Sequence, residues 1–240
     1  MQISTPDKSQ LFYARLAGFA YFVNYLTSVV GVVAASRIKG SGDFIDQARR
    51  ILASEHLYRA ALVSITVGWV LIVILAYALY VTLRPVSQRL AQIALLMEIC
   101  QASVGAVTVL ASFTTLRLYT FAQTNGSFAN EQLQTLVSAA RDATDSGFQI
   151  SMIFLSVGST IFFYLFYRSR FFPRALAAWG MFASVVMGMV SFGILIFPEH
   201  SRTFLYGWAP IGIAEVGTAL WLMIAGIRPK RLAAAEARAE

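Results

Sequence analysis

The chain is predicted to be an all-α, polytopic membrane protein: a bundle of six transmembrane helices with two external amphipathic helices. Three observations carry this. Apolar residues make up 58 % of the 240 residues and charged residues only 13 %, about half the charged share of a soluble domain. The apolar residues fall into six runs, each long enough to cross about 30 Å of hydrocarbon. The charges gather at the ends of those runs, where a helix meets lipid headgroups.

The runs follow in order. The first covers residues 11–35; its Val33-Ala34-Ala35 end resembles a signal-peptide cleavage site, but its length and Asn24 favour a retained span. The second covers 57–83 and is closed by Arg84-Pro85, because proline ends a helix and arginine prefers the interface. The third runs over 90–116 and the fourth over 148–167. The fifth covers 175–197 and stops at Pro198; the sixth covers 204–227 and stops at Arg228-Pro229-Lys230-Arg231. A single transmembrane domain over 1–231 and a short polar tail over 232–240 result.

Two connections carry helical patterns of their own. Over 44–58, Phe44, Ile45, Ala48, Ile51, Leu52 and Leu57 recur at helical spacing between charged residues, as in an amphipathic helix at the outer interface. Over 130–145, Leu133, Leu136, Val137 and Ala140 repeat the pattern after an Asn125-Gly126-Ser127 turn.

Arginine and lysine set the expected orientation. With the N-terminus inside, eleven basic residues face the cytoplasm and eight face out. The short connections decide it, since the positive-inside bias is strongest there. Arg84 and Arg89, then Arg168, Arg170 and Arg174, mark the two short cytoplasmic turns, whereas the one arginine of the final outer turn, Arg202, is balanced in charge by Glu199. Both termini are therefore expected in the cytoplasm. The net charge of +7 reads as topology and lipid contact, not as nucleic-acid binding.

The same segments resemble the bacterial membrane family called domain of unknown function 4386. The likeness covers nearly the whole chain. It includes Ala14-Arg15-Leu16-Ala17-Gly18, Ile51-Leu52-Ala53-Ser54-Glu55 and Leu79-Tyr80-Val81-Thr82-Leu83-Arg84-Pro85-Val86. It continues through Phe166-Tyr167-Arg168-Ser169-Arg170-Phe171-Phe172-Pro173-Arg174 to Glu215 and Trp221. The resemblance implies a six-helix bundle in a bacterial inner membrane and no activity. In the family pattern an arginine on the third span is followed three residues later by an acid. Those positions hold Glu98 and Gln101 here, so a role resting on that arginine does not carry over.

Polar residues inside the runs are the candidate functional groups. Ionisable groups in hydrocarbon cost about 2.5–3.5 kcal/mol on insertion scales and turn toward the interior of a bundle or toward water. Glu98 and Glu215 are such groups. Glu98, Gln101, Gly105, Thr108 and Ser112 share one helix face; Asp145, Gln149, Ser156 and Ser159 form a stripe on the fourth run; and Tyr21, Asn24, Ser28 and Gly31 form one on the first. One reading is a polar core around Glu98, Gln101, Glu215, Asn24, Gln149 and Asp145 that takes a proton, a cation or an amine. The other is interhelical hydrogen bonding that holds the helices together, the usual role of small and polar residues at such contacts. Arg15 reads as topology, and Gly180, Ser184 and Gly188 as a small-residue ladder for internal packing.

No residue presents a catalytic motif: there is no GxSxG serine, P-loop or dinucleotide fingerprint. His56 and His200, each beside a glutamate at the end of a run, are weak metal candidates without ligand spacing. Cys100 reads as a small core residue and Phe171, Phe172 and Trp179 as interfacial anchors. The sequence specifies no cofactor. It favours a non-enzymatic inner-membrane protein: a small transporter, a ligand binder or an accessory subunit. A structural subunit of a larger membrane complex, a homodimer, and an intramembrane enzyme acting on a lipid or isoprenoid stand as alternatives.

Overall fold

The structure, a computed structural model, describes residues 8–125 and 131–227; the C-terminal basic cluster, the polar tail and the Gly126-Ser127 turn lie outside them. The described residues are helical throughout, with helices α1 (Lys8–Lys39), α2 (Phe44–Ala53), α3 (Glu55–Leu83), α4 (Gln88–Asn125), α5 (Glu131–Ser169) and α6 (Arg174–Ile196). After α6 come a 3-10 turn, the short α7 (Ser201–Phe204), a second 3-10 turn and α8 (Ala209–Ile224). Six of the helical segments are long and apolar enough to span a membrane. Large apolar side chains stand exposed along them, among them Leu110, Phe121 and Ile196 at 65 % and Ile224 at 72 %. A water-soluble protein does not carry so many; these are lipid-facing positions on a multi-pass membrane protein.

Two sequence expectations are corrected. The 130–145 segment is not a separate helix: it is the first part of α5, which runs unbroken for 39 residues. At 1.5 Å per residue that is about 58 Å, far more than a bilayer requires. Cys100 is exposed and not in the core, because it lies two residues past Glu98, on the opposite side of the α4 face that is buried.

The chain divides into two compact units. The first takes in the described parts of Met1–Val23, Leu71–Ala102 and Gln149–Glu240. Its packing rests on close helix contacts. A Cβ on Gly18 of α1 would lie 2.4 Å from the Met223 backbone nitrogen and 2.9 Å from the Ala219 carbonyl oxygen of α8. Ala14 and Ala17 are fully buried nearby, so α1 meets α8 almost backbone to backbone. Gly180 lies under the Phe163 ring and Gly188 under Ser156, which makes the expected ladder on α6 a close contact with α5. Between α5 and α6, Arg170 takes a left-handed conformation (φ 58°), and Ser169 Oγ accepts from the Phe171 amide at 3.1 Å. This tight turn folds Phe171 and Phe172 inward, where they are 1 % and 4 % exposed. The expected interfacial anchoring of these two rings is therefore also corrected: Phe172 packs against Phe166 and Trp221. Trp179, half exposed, donates its indole N–H to the Pro210 carbonyl.

The second unit comprises Asn24–Val70 and Ser103–Phe148. Here α1 and α3 interlock: Gly31 sits against Ala61 and Ile65, Gly68 against Ser28, and Ser64 donates to the Thr27 carbonyl at 2.9 Å. Gly105 of α4 lies flat on the Trp69 indole. Helix α2 starts on an Asp43 cap, whose carboxylate accepts from the Asp46 amide at 2.8 Å. It ends at Ser54 and is followed at once by α3. Its apolar face is laid on protein: Ala48 and Ile51 join Leu116, Tyr119, Ala122, Leu133 and Val137 in one buried cluster. The ends of α4 and α5 that overrun their apolar spans supply that cluster. Arg141 of α5 binds both Gln47 of α2, at 3.0 Å, and the Tyr119 hydroxyl of α4. Arg50 ties α2 back to the Lys39 and Ser41 carbonyls after α1.

The α1–α8 contact leaves no room for a side chain. Gly18→Ala is expected to destabilise the protein by about 1–3 kcal/mol, the usual cost of overpacking. Gly212→Ala, where an added Cβ meets nothing within 4 Å, is expected to be close to neutral. Thermal unfolding of the two variants in the same detergent checks the contrast.

Candidate functional site

Glu98 and Glu215 both lie in the first unit. Glu98 stands on the third turn of α4 and is 6 % exposed. Its carboxyl points at α5, where Ser159 Oγ donates to Oε1 over a long 3.4 Å. The neighbouring Gly158 makes this possible, since a Cβ there would lie 2.7 Å from Oε1. Glu215, in the middle of α8, accepts a hydrogen bond from the Tyr21 hydroxyl of α1. Tyr21 is three residues beyond Gly18, so the close α1–α8 approach brings this pair within reach. The carboxyls are near enough to act on each other: Glu98 feels the charge of Glu215, and Tyr21 feels both.

The site therefore has two acids, contributed by α4 and α8, and two hydroxyls, contributed by α5 and α1. Among the described residues neither acid forms an ion pair with lysine, arginine or histidine; the ion pairs present are Arg59–Glu55 and His200–Glu199. Other polar atoms of the unit are buried as well. Gln101, one turn from Glu98 on the same face, is 2 % exposed, and its side-chain oxygen has no hydrogen-bond partner among the described residues. The same holds for the Gln149 side-chain oxygen and for the hydroxyl of Thr218, one turn from Glu215. Buried carbonyl and carboxylate oxygens without donors are costly. A ligand that brings positive charge or N–H and O–H donors is the chemical complement of this group.

The other sequence candidates fall elsewhere. Asn24 belongs to the second unit, where its side-chain oxygen accepts from Ser28 Oγ at 3.4 Å beside Gly68. There it serves the α1–α3 contact. Asp145, also in the second unit, is exposed and interacts electrostatically with Lys39, Asp142 and Arg141. His56 is exposed, and His200 meets Glu199 at 3.3 Å in the open. Among the described residues no three of histidine, cysteine, aspartate and glutamate gather as metal ligands would. Gly158 was not singled out in the sequence. The available signal was a glycine directly before Ser159 in a polar stripe, and it becomes meaningful only once Glu98 is seen to need the space.

Gly158→Ala places a methyl group on the Glu98 carboxyl. Its cost in stability is expected to fall by roughly 1 kcal/mol or more in a Glu98→Ala background, because the two positions are in contact. A double-mutant cycle of thermal unfolding measures this coupling; additive losses would disprove the contact.

No curated protein and no solved structure matches the chain. The family model described as "Domain of unknown function (DUF4386)" matches residues 16–226, from the third turn of α1 to just past α8, and the chain belongs to that family.

Proposed function

We propose that this is a non-enzymatic protein of a bacterial inner membrane that binds a proton, a small cation or an amine at the Glu98–Glu215 pair, as a small transporter or ligand binder. The observation that carries the reading is a pair of mutually interacting acids within the apolar spans with no basic partner among the described residues. Two carboxylates in a low-dielectric region need charge compensation, by a proton or by a bound cation. Tyr21 and Ser159 orient the two carboxyls by donating to them. The unpartnered side-chain oxygen of Gln101, one turn from Glu98, favours a ligand that itself donates hydrogen bonds.

Both termini lie in the cytoplasm on this reading. Its support is the pair of short arginine-rich turns at 84–89 and 168–174, which the positive-inside bias retains on that side.

The test is cation-dependent stability of the purified full-length protein. Sodium, potassium or ethylammonium is titrated while thermal unfolding is followed, and binding heats are compared in two buffers to read proton exchange. At least one of these cations is expected to raise the melting temperature of the wild type. Glu98→Gln and Glu215→Gln are each expected to abolish the rise while leaving expression near wild type. A response that survives both substitutions, or a wild type indifferent to every cation and without proton exchange, would overturn the reading.

A further inference from the structure

Two basic turns of the first unit meet at one cavity. Arg89 opens α4 after the α3–α4 turn, and Arg168 closes α5 before the α5–α6 turn. Both side chains line a cavity of about 570 Å³, together with Val86, Ser87, Gln88 and Gln92. That volume is in the range of small-ligand sites, about 300–1,000 Å³. Both arginines are exposed, and neither has an acidic partner among the described residues. The local sequence supplies none: residues 84–97 and 150–198 contain no aspartate or glutamate.

Helix electrostatics explains one of these arginines and not the other. Arg168 lies in the last turn of α5, where a cation complements the negative end of the helix dipole. Arg89 lies in the first turn of α4, a 38-residue helix with no acidic residue in that turn. A cation there faces the positive end of the dipole and is unfavourable by the same rule. The first backbone N–H groups of α4 have no acceptor within the helix. Arg174, by comparison, is already engaged over the Tyr167 ring, 5.5 Å from its centre. Two guanidinium groups thus line one cavity beside a helix start with no acidic partner among the described residues.

We infer that this cavity, between Arg89 and Arg168, is a binding site for a phosphate ester. The negatively charged headgroup of a phospholipid is the form that the adjoining bilayer presents. The planar guanidinium forks suit phosphate oxygens through paired, charge-assisted hydrogen bonds. Ser87, Gln88 and Gln92 add neutral donors that suit the hydroxylated alcohol part of such an ester, as in a glycerol headgroup.

The experiment uses the full-length protein in a neutral detergent. Phosphatidylglycerol is titrated in mixed micelles, with phosphatidylcholine as the uncharged control and glycerol 3-phosphate and inorganic phosphate as soluble arms. Binding is read by thermal shift and by native mass spectrometry. Phosphatidylglycerol is expected to bind above the phosphatidylcholine background. Arg89→Gln and Arg168→Gln should each weaken it by roughly tenfold, the loss of about one charge-assisted contact. Arg84→Gln removes the same charge from the same turn without lining the cavity and should leave binding within about twofold. Competition by glycerol 3-phosphate or phosphate would identify a soluble ester as the ligand source, and its absence a lipid. Equal losses in all three variants would mean diffuse attraction to a charged surface and would overturn the site, as would unchanged binding in Arg89→Gln and Arg168→Gln.

Discussion

Helices that share a bilayer gain little by burying apolar surface against each other, because lipid is as apolar as leucine. Close backbone approach and a few polar contacts have to hold them together. In this protein the approach is made by glycine: Gly18 on α8, Gly31 and Gly68 across α1 and α3, Gly105 on Trp69, and Gly180 on Phe163. The candidate site follows from the same constraint. Tyr21 reaches Glu215 because Gly18 lets α1 lie against α8, and Glu98 fits against α5 because position 158 has no side chain.

Polar residues in the spans serve two purposes, and the unit in which each lies separates them. In the second unit Asn24, Thr27, Ser28 and Ser64 contact one another or nearby backbone across α1 and α3. They are satisfied locally, and interhelical adhesion accounts for them. In the first unit two carboxyls lie within the apolar spans, with Tyr21 and Ser159 donating to them and no basic partner among the described residues. Adhesion does not call for two acids without a basic partner; binding a proton or a cation does.

The outer parts of α4 and α5 show how far a helix can run past its span when something covers it. Leu116, Tyr119, Leu133 and Val137 would face water if α2 were not laid across them. Arg141 and Arg50 lock that cover by binding oxygens on neighbouring segments. Arg89 and Arg168 have no acidic partner among the described residues, and that contrast is what marks their cavity as a place for an external anion.

The class of the protein was legible in the sequence, because the length and apolarity of each run depend on bilayer thickness and not on neighbouring helices. Proline and arginine punctuation put the ends of the second and fifth runs where α3 and α6 end, since a missing N–H terminates a helix locally. Glu98 and Glu215 also stood out unaided, as acids in apolar runs. What needed tertiary structure was every matter of facing. Periodicity places Asn24 and Glu98 on polar stripes alike, but only the packed neighbours put the first against α3 and the second against Gly158 and Ser159. An apolar stripe over 44–53 looks the same whether it meets lipid or protein. Only the overrun of α4 and α5 decides that α2 meets protein, because a surface can be covered only by what the rest of the chain brings to it.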